Sequence, residues 1–430
     1  MIFYKKIKAG ALQFVLFVGA VVALLLLSFL LLSHTQQHFQ NTSKIWVEVL
    51  QSVDYGMQAS LSKPTQPNEE IEIEKPGDLP IDIRVKKSFW GLLEQIAVTA
   101  SHGNTTFTKI GLIGGKYLEE LPALYVNDHQ RPVVLAGNAK ITGTAYLPQQ
   151  GVKMGNIGGN SYHLPRLIYG NSLKSDSNLP KLDTEFLQQM QRWTQNNFKP
   201  EGTLLQSLPK EGLKNSFQEE TKIYKGRKVI VENISLMGNI VIVADEVIKI
   251  HSTARLHDLI LLAPKIEIGD GVVGNFQAIA TESIEVGQKC NLFYPSVLAV
   301  NSTNNKMHLS SNTGADVMNR PPKVFIGKNS EIRGFIMALE ENEERQYSPQ
   351  IKVETNALIQ GEIYATKNLE LKGTVQGMVT TDGFIALENG SIYQNHLYNG
   401  VINSTQLSAA YVGIPLVDRV QNKKLMQWLY

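Results

Sequence analysis

The side chains best suited to chemistry in this chain are two histidines, a scatter of carboxylates and one thiol. His251 and His257 are candidate general bases, because an imidazole exchanges protons near neutral pH. Asp258 follows His257 directly. Neighbouring residues on a strand point to opposite faces, so the two are expected not to meet. Asp245-Glu246, Asp270 and Glu282 are the carboxylates a glycan-cleaving pair would draw on. Of these, Glu246 and Glu282 fall two turns apart in the repeat described below, and solvated surface carboxylates are the expectation. Cys290 is the only cysteine, and it sits on an apolar series beside Lys289. Alternation points Lys289 away from it, so a core thiol is expected, and no intrachain disulfide can form. Gly155, Gly158, Gly159 and Gly170 mark a glycine-rich stretch. A phosphate cradle would need a helix opening on Lys-Ser or Lys-Thr after it; none follows, and a surface loop is expected. Glu340 to Arg345 reads as a solvated charge run. The sequence holds no His/Cys/Asp metal spacing, no G-x-S-x-G and no P-loop. The expected sets of catalytic, cofactor-binding and metal-binding residues are therefore all "none", and no cofactor is expected.

These groups hang on a repeat. Ile248, Ala254, Ile260, Ile266, Val272, Ala278, Ile284 and Cys290 step by six. Ile250, Leu256, Leu262, Ile268, Gly274, Ala280, Val286, Leu292 and Leu298 run two places behind them. The series resumes as Ile351, Ala357, Ile363, Leu369, Val375 and Thr381, with Val324, Ile326, Ile332 and Ala338 between the blocks. A six-residue step fits no helix face and fits one short strand plus a corner. Three steps make a turn of about 18 residues that buries its side chains only by stacking on its neighbours. The predicted fold is mainly β: a triangular parallel β-solenoid over 229–396, with polar loops at 301–322 and 340–350. Gly and Asn fall between the apolar pairs, where corners need positive φ.

The other end sets the location. Ala11 to Ser33 is apolar except for Gln13 and Ser28, and is long enough to span a bilayer core of about 30 Å. Lys5, Lys6 and Lys8 precede it, and no Lys or Arg follows until Lys44. The positive-inside rule puts the N-terminus in the cytoplasm and the bulk of the chain outside, in the periplasm or the extracellular space. A cleaved signal peptide would have a shorter apolar core and end in small residues, which this run does not. The division expected is 1–34, cytoplasmic stub and transmembrane helix; 35–82, juxtamembrane helix and Pro/Glu-rich linker; and 83–228, a mixed β-rich region with one helix at about 183–195 capped by Asp183. The coil follows, and 397–430 is expected to be a C-terminal cap with a short helix from Val420 to Tyr430. A formal charge of +2 gives no reason to expect nucleic acid. The expected partners are the lipid bilayer, through Ala11 to Ser33, and proteins or further copies of the chain, through the coil ends or loops.

Three resemblances follow from particular residues. Ile351 to Gly377, with Ala357-Leu358-Ile359-Gln360-Gly361-Glu362-Ile363 and Leu371-Lys372-Gly373-Thr374-Val375-Gln376-Gly377, resembles the bactofilins, polymer-forming bacterial cytoskeletal proteins. That resemblance implies a triangular β-helix, end-to-end self-association without nucleotide, and no catalytic residues. Lys6-Ile7-Lys8-Ala9-Gly10, followed at once by Ala11-Leu12-Gln13-Phe14, resembles the start of a type IV pilin or pseudopilin, with Val15 where that family usually has Glu. Ile268-Gly269, Val286-Gly287 and Ile326-Gly327 resemble steps of the hexapeptide-repeat acyltransferases, which need a His base. Right-handed β-helix polysaccharide lyases need clustered carboxylates with an Arg or Lys base, whereas Asp245-Glu246, Asp270 and Glu282 are scattered over different turns. The functional expectation is a membrane-anchored envelope scaffold with a structural or assembly role, not an enzyme. The alternatives are a minor pilin-like component of a pilus or secretion machine, and a carbohydrate-active envelope enzyme.

Overall fold

A computed structural model describes residues 9–62, 66–77, 79–117, 121–196, 198–302, 321–341, 347–417 and 420–429. Lys5, Lys6 and Lys8, most of the 301–322 loop and residues 342–346 of the 340–350 loop, which hold most of the charge run, lie outside the described residues. The chain divides into two compact units.

The first unit contains helix α1, Ala9–Leu61, with residues 70–85 and 98–108. At about 1.5 Å per residue it is roughly 80 Å long. Its first part is apolar all round and exposed, from Leu12 to Leu32, and is long and apolar enough to cross a membrane. Ser28 and Thr35 donate their hydroxyls back to the carbonyls of Leu24 and Leu31, which removes polar groups an apolar helix would otherwise leave bare. Beyond the apolar run one stripe becomes core: Val49, Val53 and Met57 are buried, as are Ile83, Val85, Val98 and Ala100 on the strands. Gly56 makes the approach close, because a Cβ there would lie 2.7 Å from Ile83 and 2.8 Å from Val98.

The second unit is a closed, parallel, solenoid-like sheet with a cover. One ladder pairs Val231 with Ile250, then Ile268, Val286, Ile326, Val353 and Leu371. A second pairs Leu236 with Leu256 and Gly274, and continues through Leu292, Ile332, Ile359, Val375 and Ile402. In a third, Ala278, Leu298, Ile336, Ile363, Val379 and Leu124 follow in order. The inward members form one continuous aliphatic core, with Ile266, Ile284 and Leu369 inside it. The polar stretches absorb excess length: Ile284 pairs with Val324 across the first, and Val324 with Ile351 across the second.

The uniform six-residue step holds only in part. Ile248, Ile266 and Ile284 pair at offsets of 18 residues, whereas Ile363 pairs with Val379 at 16. The expectation of Ile260 and Leu262 inside is overturned. Asp258 has φ of +53° and forms a bulge, so the alternation slips by one residue. Leu259, Leu261 and Ala263 turn inward, while Ile260 and Leu262 join a second, outer core.

The order of turns also departs from the order of the chain. Residues before the coil supply its last turns: Leu124–Val126 lies on Val379–Thr381, Lys140–Thr142 on Val401–Asn403, and Ser172–Lys174 on Ala145–Leu147. Tyr162, with part-buried Leu164, Leu167 and Ile168, covers the inner core beside these turns. The opposite end begins at Thr203–Leu205 and Leu213–Asn215, where Leu208 and Leu213 pack on the core. The ladders thus extend beyond 229–396 at both ends: Val401–Asn403 continues them, and strands from 124–174 close them. The expected helix at Val420 to Tyr430 is a strand, Val420–Leu429, antiparallel to Ile110–Tyr117. An open sheet edge and a buried place for Leu429 override the weak helical pattern.

The outer core joins outward coil residues Ile260, Val297, Phe335 and Met378 to Trp90, Leu93, Ile110, Leu112 and helix α2, Thr184–Trp193. Asp183 caps α2 by accepting from the amides of Glu185 and Phe186. Phe186, Met190 and Trp193 form its buried face, with the Phe186 ring 6.4 Å from that of Phe335.

One corner shows why glycine is required. Gly334, Gly361 and Gly377 pair in a column with φ of +140°, +147° and +152°. A Cβ on Gly361 would stand 1.8 Å from the Gly334 carbonyl oxygen. Gly361→Ala is expected to cost about 2–4 kcal/mol, and Ile266→Ala about 2–5 kcal/mol. Ile230→Ala, at a side chain 62% exposed, should stay within about 0.5 kcal/mol of the parent. Thermal unfolding of the detergent-solubilised full chain gives the order; equal losses at Ile266 and Ile230 would contradict the inner core.

Candidate functional site

The bulge that reverses the alternation also creates one of two close acid–imidazole contacts among the described residues; the other joins His129 Nε2 to Asp382 Oδ1 at 2.8 Å. His257 Nε2 lies 3.2 Å from Asp258 Oδ2, contrary to the expectation that the two face apart. The left-handed backbone at Asp258 folds its carboxylate back toward its neighbour. Asn275, one turn on, donates to Asp258 Oδ1 at 2.7 Å, and Gln427 of the C-terminal strand donates to both oxygens at 3.1 and 3.2 Å. Burial pushes the Asp258 carboxyl above its usual range, opposed by the His257 charge and the two amide hydrogen bonds. The arrangement fixes one face of a half-exposed imidazole. The concavity beside it, lined by Trp90, Leu93, Asp258, Phe276 and Pro295 among others, has space for roughly one water. A base so placed has no enclosed substrate position.

The remaining sequence candidates stay apart. His251 bonds Thr253 at its own corner at 3.1 Å. Asp245 pairs with Lys225 at 2.9 Å, and Glu282 with Lys265 at 3.5 Å. Glu246 is bonded by Arg227, which holds its carboxyl below the usual range, and by Lys228. Asp270 accepts from the Gln288 amide at 2.7 Å. All of these contacts except the one at His251 tie one turn to the next. Cys290 is buried in the inner core with its thiol pushed up by burial, and Lys289 turns out at a corner with φ of +55°. Among the described residues there is no group of three His, Cys, Asp or Glu placed to hold a metal ion.

Two buried polar clusters were not visible in the sequence. Glu362, 3% exposed, accepts from Tyr117 Oη at 2.6 Å and from the Ile414 amide at 3.0 Å. Tyr411 and Tyr294 complete the cluster, and burial raises both phenols. Gly413 must be glycine there, since a Cβ would strike the Glu362 carboxylate. In the second cluster, Glu94 is held by Lys87 at 3.6 Å and by Lys423, while Lys87 also meets Glu185 at 2.7 Å. Burial opposes the Lys87 charge, yet the two carboxylates outweigh it and raise its pKa. Outward position after a corner glycine was the only signal available for Glu362. Which outward ladder is covered depends on segments hundreds of residues away.

No family model, no curated protein and no solved structure matches this chain.

Two outcomes follow. The folded state binds the Asp258 proton more tightly than the unfolded chain does. Its contribution to stability therefore falls as pH rises from about 3.8 through the raised folded value, and is level above that. Asp258→Asn should flatten the dependence of Tm on pH over that interval; an unchanged slope would remove the assignment. Tyr117→Phe leaves a buried carboxylate short of a donor and should cost about 1–3 kcal/mol, read as a lower Tm and earlier proteolytic release of the C-terminal strand.

Proposed function

We propose that this chain is a membrane-anchored extracytoplasmic scaffold with a structural or assembly role in the cell envelope. The observation that carries the reading is one continuous aliphatic core of stacked turns, joined in a single chain to a helix long and apolar enough to cross a membrane. The basic residues before that helix favour a cytoplasmic N-terminus, leaving the coil outside. The three ladders are read as the sides of a triangular coil. The acid–base groups act between turns, as supports, and the scaffold needs no catalytic step. The bactofilin-like pattern is one of coil construction. End-on stacking of whole coils would first have to displace Tyr162 and its neighbours at one end and Leu208 and Leu213 at the other. Assembly is therefore expected through edges, loops and the outer surface.

A second reading is a pilin-like component. It is favoured by the unbroken course of α1, Ala9–Leu61, through the apolar run to the buried stripe of Val49, Val53 and Met57.

The two readings separate by N-terminal sequencing of protein extracted from membranes. An intact Met1 is expected for the scaffold; a mature chain starting at Ala11 would favour the pilin-like reading. Protease added outside the cytoplasmic membrane should reach the coil, and gently extracted protein should run as a complex larger than one chain. Single-chain particles under every extraction condition, with the coil protected from outside, would sink the scaffold role.

A further inference from the structure

The coil zips its own charges from turn to turn. Lys225 pairs with Asp245, Lys249 with Glu267, Lys265 with Glu282, Lys352 with Glu370 and Lys372 with Glu388. The closing turns break this habit. Residues 121–182 carry six basic side chains (Arg131, Lys140, Lys153, Arg166, Lys174 and Lys181) against two acidic ones, Asp128 and Asp176. None of Lys153, Arg166 and Lys174 forms an ion pair among the described residues, and all three are exposed.

The same turns end in open strand edges. Ser172–Lys174 pairs only with Ala145–Leu147, and all three of its residues are exposed. Val152–Met154 pairs only with Val133–Leu135. Each edge sets an exposed apolar side chain beside a lysine: Leu173, 47% exposed, next to Lys174, and Met154, 59% exposed, next to Lys153. Lysine alone can guard an edge against pairing. Lysine beside an exposed apolar side chain, in a region with a surplus of unpaired cations, instead suits a strand of opposite charge.

The first unit carries such a strand. Glu70–Glu72 is the outer strand of its sheet. Glu70, Glu72 and Glu74 are exposed and alternate with Ile71 and Ile73, so the acids share one face. Arg84 feels the charges of Glu70 and Glu72, but it already binds Asp82 at 2.8 Å.

We propose that the edge strand Ser172–Lys174 of one copy receives the acidic edge strand around Glu70–Glu72 of a second copy, with Lys153 on the separate edge Val152–Met154 adding to the basic charge that attracts it. The contact joins two different surfaces, so each copy offers one of each and the association can propagate. It is electrostatic at exposed side chains, so added salt weakens it. The inference rests on the assembly role proposed above and names its partner. A stable complex with a different envelope protein, without self-association, would overturn this contact and leave that role standing.

The test uses the purified full chain in detergent at low ionic strength, followed by sedimentation. Wild type should associate reversibly and dissociate as salt is added. Lys153→Glu with Lys174→Glu should weaken association about tenfold or more, and so should Glu70→Lys with Glu72→Lys. All four substitutions in one chain should restore it, because the charges are again complementary. All the altered side chains are exposed, and an unchanged Tm confirms that each variant is folded. A monomeric wild type, single-side reversals without effect, or a folded fourfold variant that fails to recover would each overturn the proposal.

Discussion

The constraint on which the coil unit depends is that each inward side chain is buried only by the same position one turn away. Ile248 needs Ile266, and Ile266 needs Ile284. A single turn has nothing to bury against, so the stack forms as a whole or not at all. Each fully buried aliphatic side chain is worth about 1.5–3 kcal/mol relative to exposure. The coil therefore tolerates large insertions at corners, which leave the ladder intact, and tolerates poorly a slip within a strand. The extra chain between Ile284 and Val324 adds length without moving either residue out of the core. The bulge at Asp258 adds one residue within a strand, and it exchanges the inward and outward sets over the rest of that segment.

That exchange is tolerated because the outward face it feeds is covered. Ile260 and Leu262 would be a liability in water; under Trp90, Leu93 and Leu112 they extend a second core. Covering a sheet face has its own cost, since any outward polar group beneath the cover must find a partner. Gln277 shows the solution. It accepts from the Leu92 amide at 2.9 Å and donates to the Trp90 carbonyl at 2.8 Å, so a buried amide fixes the turn that lies over it. Glu362 does the same for the Ile414 segment. Where the outward positions stay wet, the pairs are Lys–Glu contacts between turns, and exposed pairs of that kind contribute little each.

The inner ladders were legible because their period is local: Ile248-x-Ile250, Ile266-x-Ile268 and Ile284-x-Val286 declare a strand and a turn length within a few dozen residues. The apolar run of α1 was legible for the same reason. What the sequence concealed depends on distant partners. Asp tolerates the left-handed region, but a single Asp in an apolar strand run does not fix which residue bulges, and so the contact with His257 was missed. The strand at Val420–Leu429 has weak local preference and takes its form from Ile110–Tyr117. The buried Glu362 cluster gathers Tyr117, Tyr294 and Tyr411, whose spacing along the chain carries no pattern.

The order of turns carries a further consequence for how the fold is reached. Leu124 lies on Val379, so a segment made early must wait for one made late. Closing that distance costs loop entropy before any contact repays it, and folds rich in such pairings form slowly. The turns from Lys222 to Leu371 pair mainly with near neighbours and can grow from one nucleus. The closing turns cannot, since Lys140–Thr142 has no ladder to join until Val401–Asn403 is in place. The same long-range placement closes one end of the coil. Once 124–174 has docked and Tyr162 covers the inner core, what is left exposed there is a strand edge carrying Leu173 and Lys174 rather than an open apolar interior.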